Sequence, residues 1–77
     1  MKKYTRKAIK EWVVMGLASD ITDYGFEEMA NFLKSHDLEK VGYSIGLYGL
    51  NGGLLKDCKT GEFYAITARN TALTMAF

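Results

Sequence analysis

Proline is absent from this chain, and cysteine, histidine and tryptophan occur once each. Without proline the backbone keeps its full set of N–H donors, so no sheet edge is guarded by a missing one. The lone cysteine, Cys58, rules out a disulfide within the chain and suits a reducing, cytoplasmic setting. Cys58 and His36 together fall short of the four ligands that a structural zinc site takes from Cys and His. Long apolar runs are missing too. Trp12–Ala18 has seven apolar residues, against roughly 20 for a membrane-spanning helix. Lys2, Lys3, Arg6, Lys7 and Lys10 ahead of that run mimic a signal peptide. Glu11 abuts it, however, and its spacing fits an amphipathic helix, so the N-terminus is expected to be retained. Neither sign of charge dominates, and the net charge is +1.

What is present describes one small domain spanning 1–77. A hydrophobic content of 48% with 25% charged residues argues against disorder. A core of this size supplies only about 3–5 kcal/mol, and with disulfides and zinc excluded the expected reinforcement is a second copy, as a homodimer. The charges are unevenly placed. Five of the ten basic side chains fall in residues 2–10, and Asp20, Asp23, Glu27 and Glu28 follow as an acidic group.

The periodicity predicts an α+β fold of two helices followed by an antiparallel meander. Thr5 caps a helix over 6–18, with Ala8, Ile9, Trp12, Val13, Met15, Gly16 and Leu17 on one arc and Val14 outside it. A second helix over 26–36 carries Phe26, Met29, Ala30, Phe32 and Leu33 on one side and Glu27 and Glu28 in its first turn. Strands are expected at 41–48, 53–57 and 62–67, with a fourth at 71–76. The last segment alternates Thr71, Leu73, Met75 and Phe77 with smaller residues; a short helix capped by Asn70 is the competing assignment. Asn51-Gly52 is the expected hairpin turn, Cys58–Gly61 the next turn, and the helices are expected to cover one face of the sheet.

Five of the eight glycines lie between Gly42 and Gly53. Neither nucleotide-binding fingerprint is satisfied there: Gly-x-Gly-x-x-Gly is absent, and no Gly-Lys-Ser/Thr follows. Gly42, Ser44 and Gly46 instead predict a strand face kept small for something to pack on it, with Tyr48 at its end and Gly49 able to re-aim that ring. No nucleophile, base and orienting group can be assembled around Cys58, His36, Asp20 or Asp23, so neither enzymatic activity nor a cofactor is expected.

The expected function is that of a non-enzymatic interaction module that binds a protein partner, itself, or both. Tyr48, Gly49, Asn51 and Arg69 are its candidate contacts. The alternative is a nucleic-acid-binding accessory protein, with Lys3, Arg6, Lys7 and Lys10 on phosphates and Tyr43 among sheet tyrosines that stack bases.

Overall fold

A computed structural model describes residues 1–77 as eight elements. In chain order they are β1 (Lys2–Lys3), α1 (Arg6–Val14), β2 (Ala18–Asp20), α2 (Phe26–Ser35), β3 (Leu38–Gly46), β4 (Gly49–Asp57), β5 (Phe63–Ile66) and α3 (Thr71–Ala76). The expected meander is there, as antiparallel β3, β4 and β5. The sheet is nevertheless mixed and five-stranded, in the order β1-β3-β4-β5-β2, because β1 adds parallel to β3 and β2 parallel to β5. Strands of two and three residues are too short to show a period, which is why the sequence pattern misses both.

The helices cover both faces of the sheet, not one. Ile9 of α1 packs with Ala18, Leu54 and Ala65, and Tyr4, Trp12, Val13, Val41 and Phe63 close around them. On the other face Met29 and Phe32 of α2 and Ala72, Leu73 and Ala76 of α3 pack on Leu55 and Ile66. The adjacent pairs Leu54/Leu55 and Ala65/Ile66 therefore send one residue to each core. Gly52–Leu55 is buried without interruption, the mark of a strand covered on both sides.

Helix α1 starts where expected, with the Ala8 N–H donating to Thr5 Oγ1 at 3.1 Å. It stops at Val14, four residues early. Gly16 has φ +75°, its N–H donates to the Val13 carbonyl, and the Leu17 N–H donates to the Trp12 carbonyl. That double bond with a left-handed glycine is a Schellman ending. It turns Met15 and Leu17 off the helical arc into solvent, while Val14 is 85% exposed. In α2, Phe26 departs from its expected inward position and is 69% exposed.

The last segment is a helix, so the expected fourth strand at 71–76 is corrected. Over six residues the two periods overlap. Asn70 decides the matter, its Oδ1 accepting from the Leu73 N–H at 3.1 Å while Ala72, Leu73 and Ala76 turn inward. Asn70 Nδ2 also donates to the Thr22 carbonyl. Thr22 Oγ1 in turn donates to Asp20 and accepts from the Thr67 N–H at 2.8 Å. This network clamps the end of β2 to the chain between β5 and α3.

Candidate functional site

The small-residue segment is filled by the chain itself. A Cβ on Gly42 would lie 2.5 Å from the Tyr4 ring, and one on Gly53 would fall inside the Phe77 ring's envelope. Gly52 faces Ile9 and the Ile66 carbonyl oxygen. Val41 is an extra residue between the paired Lys40 and Gly42, and this irregularity breaks the alternation that would set Val41, Tyr43, Ile45 and Leu47 on one side of the strand. Val41 joins the α1 core, whereas Tyr43 pairs with Gly53, which faces Phe77 of the opposite core.

The hairpin turns at Leu47–Tyr48, between the paired Gly46 and Gly49, and not at Asn51–Gly52. Gly49 takes φ +107°, a backbone state costly for any residue with a Cβ, so the chirality of the turn is placed there. Asn51 is the extra residue in a second irregularity, with Ser44 opposite Gly52 and Ile45 opposite Leu50. Its side chain fills the space left by Gly46, and its Oδ1 is buried without a hydrogen-bond partner.

The result is an apolar tip: Ile45 is 52% exposed, Leu47 89% and Tyr48 77%. Through its partner Leu50, Ile45 adjoins a cleft of about 280 Å³ lined by Leu50, Arg69, Leu73, Thr74 and Phe77. Lys40 Nζ lies 5.8 Å from the Phe77 ring centre, within reach of a cation–π attraction. Because β3 and β5 run the same way, their C-terminal ends bring the tip and Arg69 to one end of the molecule. Tyr48 and Gly49 are at the tip, Arg69 lines the cleft beside Leu50, and Asn51 buttresses the tip from within. The exposed Ile45 and Leu47 and the half-buried Leu50 and Phe77 of the cleft are not among the contacts that the sequence pattern singles out. The readable signal was the pair Gly46 and Gly49 flanking Leu47-Tyr48.

The residues expected to hold nucleic acid divide. Lys3 is the strand partner of Tyr43. Arg6, Lys7 and Lys10 are exposed on α1, across the sheet from the core that Tyr43 adjoins. Tyr64 is enclosed by Phe32 and His36, at ring separations of 4.9 and 5.7 Å, and donates to Glu62 Oε2 at 2.8 Å. That hydrogen bond, then burial and the Glu62 charge, push its pKa from the ordinary 10.0 to about 12. The folded state holds the proton more tightly than the unfolded chain. Its stabilising effect is complete below pH 10 and disappears as pH rises towards about 12. Unfolding followed by Trp12 fluorescence is expected to show that alkaline loss in the wild type, with a smaller loss in Tyr64→Phe.

Reactive groups are turned to other uses. The exposed Cys58 thiol faces Glu39 Oε2 at 3.8 Å, and desolvation with the Asp37 and Glu39 charges raises its pKa, the reverse of thiolate activation. His36 Nδ1 lies 3.0 Å from the Phe32 carbonyl oxygen and 2.9 Å from Ser35 Oγ. No group of three His, Cys, Asp or Glu side chains is placed to hold a metal ion. No helix is long and apolar enough to cross a membrane.

Fold and surface together define a small mixed-sheet α+β domain with an apolar-tipped hairpin beside a cation-bordered cleft. Comparison with protein-family models, curated proteins and solved structures finds no match to this chain.

Proposed function

We propose that this chain is a small non-enzymatic interaction module that binds a protein partner through the tip of the β3–β4 hairpin and the adjoining cleft. One observation carries the reading: Ile45, Leu47 and Tyr48 are large apolar side chains left exposed at the tip of the paired β3–β4 hairpin. Folding gains little from leaving those side chains in water, whereas a partner that covers them gains roughly 25 cal/mol for each Å² of apolar surface removed from solvent. Arg69 and Lys40 border the apolar cleft, and no carboxylate side chain lines it. The complementary partner is a peptide segment that pairs apolar side chains with an acidic one. Tyrosine and arginine are also residue types that often dominate binding energy at interfaces.

The test is affinity capture by the wild type and by Leu47→Asp/Tyr48→Ser, with thermal unfolding of both. A specific partner is expected to be retained by the wild type and weakened about thirtyfold or more by the double substitution. The unfolding midpoint should move little, because both side chains are exposed. Equal retention by the two proteins would remove the hairpin tip as the interface. If the retained species is instead nucleic acid, released by salt and by Lys7→Glu/Lys10→Glu, the binding surface is α1 and the reading moves to a nucleic-acid accessory protein.

A further inference from the structure

Strand β1 covers only part of the strand it joins. It pairs with Gly42 and Tyr43 of the nine-residue β3, and the Tyr4 N–H donates to the Tyr43 carbonyl at 2.7 Å. The chain then leaves the sheet at Thr5 and starts α1 over the Ile9 core. From Ile45 to the turn, β3 therefore has β4 on its inner side and no strand on its outer side. Backbone groups alternate sides along a strand. The Tyr43 carbonyl points outward to Tyr4, so the N–H and C=O of Ile45, two residues on, point outward as well. The Ile45 side chain is exposed, and residues 44–50 contain neither a charge nor proline, the usual means by which an open edge is protected.

We infer that this edge takes the C-terminal segment of another protein, added as a strand antiparallel to β3 with its last residue beside Ile45. The inference deepens the hairpin-tip reading and rests on it. Sterics fix where such a strand stops. Strand β1 fills the same lane as far as Tyr4, so an added strand running towards it ends at Ile45. An antiparallel strand arrives there with its C-terminus, and charge selects that direction. Lys3, exposed in the last β1 pair, and the exposed Arg6, two residues beyond Tyr4, border the stop. Residues 1–10 and 40–56, which include β1, the start of α1 and most of β3 and β4, hold no acidic side chain. A terminal carboxylate is attracted there and an amino terminus repelled. Ile45 offers one N–H and one C=O for pairing, and its side chain suits an apolar last residue on the incoming strand. The acidic group of the complementary segment is then its own chain end. A second copy of β3 cannot take the place. Centred on Ile45, an antiparallel β3 pair would set each Tyr43 opposite the other copy's Leu47, and β1 already occupies the outer side of Tyr43.

The full chain is tested against a synthetic library of peptides about ten residues long, with free C-termini and the final positions varied. Retained peptides should end in an apolar residue, and amidation of their C-termini should weaken binding about tenfold or more. Lys3→Glu should weaken it about fivefold, and by less at high salt. Bound peptide should slow exchange of the Ile45 amide about tenfold. Ile45→Pro removes an N–H that no strand of the chain uses. It should weaken binding about tenfold, while Ile45→Val stays within about twofold of the wild type. If thermal unfolding shows that Ile45→Pro disrupts the hairpin, exchange of the wild-type Ile45 amide decides. Absence of any binder, equal binding of the amidated peptides, or unchanged Ile45 exchange would each overturn the inference. So would slowed Ile45 exchange on concentrating the chain alone, which assigns the edge to a second copy. The hairpin-tip reading survives these outcomes if Leu47→Asp/Tyr48→Ser still releases a captured partner.

Discussion

Ile9→Ala is expected to cost about 3 kcal/mol of folding stability, within the range for truncating a fully buried aliphatic side chain. Ile9 is the only residue of α1 that is completely enclosed; Ala8, Trp12 and Val13 are half-buried around it. Removing its methyl groups leaves a hole over Gly52, where the backbone has no side chain to fill it. The surrounding sheet is held from the other side by α2 and α3, so collapse into the hole is limited. A chain of 77 residues has roughly 4–12 kcal/mol of stability in total. The loss is therefore a large fraction of what exists, and it corresponds to a fall in melting temperature of about 12–24 °C. Urea unfolding should show a lower midpoint with an unchanged slope. A loss below about 1 kcal/mol would mean that α1 is not anchored at this position.

Asn70→Ala should cost about 2 kcal/mol and act chiefly on one end of the molecule. About 1 kcal/mol comes from the cap on Leu73 and a similar amount from the amide bond to the Thr22 carbonyl. Helix α3 has six residues, too few to persist on propensity alone. Amide exchange from Ala72 to Phe77 should accelerate well ahead of that in β4. Asn70→Ser, which can keep the cap but cannot reach Thr22, should recover about half of the loss. Equal effects from Ser and Ala would show that the clamp, not the cap, holds the segment.

Much of the architecture was legible in the sequence, and its failures have specific physical causes. The capping hydroxyl of Thr5, the three-stranded meander and the turn with positive φ at Gly61 all follow from local chemistry. Asn51-Gly52 carried the strongest turn signal, yet the turn formed at Leu47–Tyr48. Pairing β3 with β4 over nine residues each, with Gly52 against Ile9 and Gly53 against Phe77, outweighs the preference of one dipeptide. Gly16 fits the helical face by its spacing, although a glycine one turn past the core residues is also a stop signal. Of the candidate contacts, Tyr48, Gly49 and Arg69 came to one end of the fold and Asn51 turned inward. Leu47 lies past the end of β3, in the turn, and Ile45 sits in the last pair but one of the hairpin, so both stay exposed.

The sequence by itself determined the first two helices and the three antiparallel strands, since those preferences are local, whereas the alternation over 71–77 made no strand. It also determined what chemistry is unavailable, because a disulfide needs two cysteines and a zinc site four ligands. Only the tertiary structure decided that both sheet faces are covered and that Tyr4, Ile9 and Phe77 occupy the space beside the glycines. Those outcomes depend on contacts between residues far apart in the chain. Two-residue β1 acquires its form from the strand it pairs with, and six-residue α3 from its Asn70 cap together with the core it packs on.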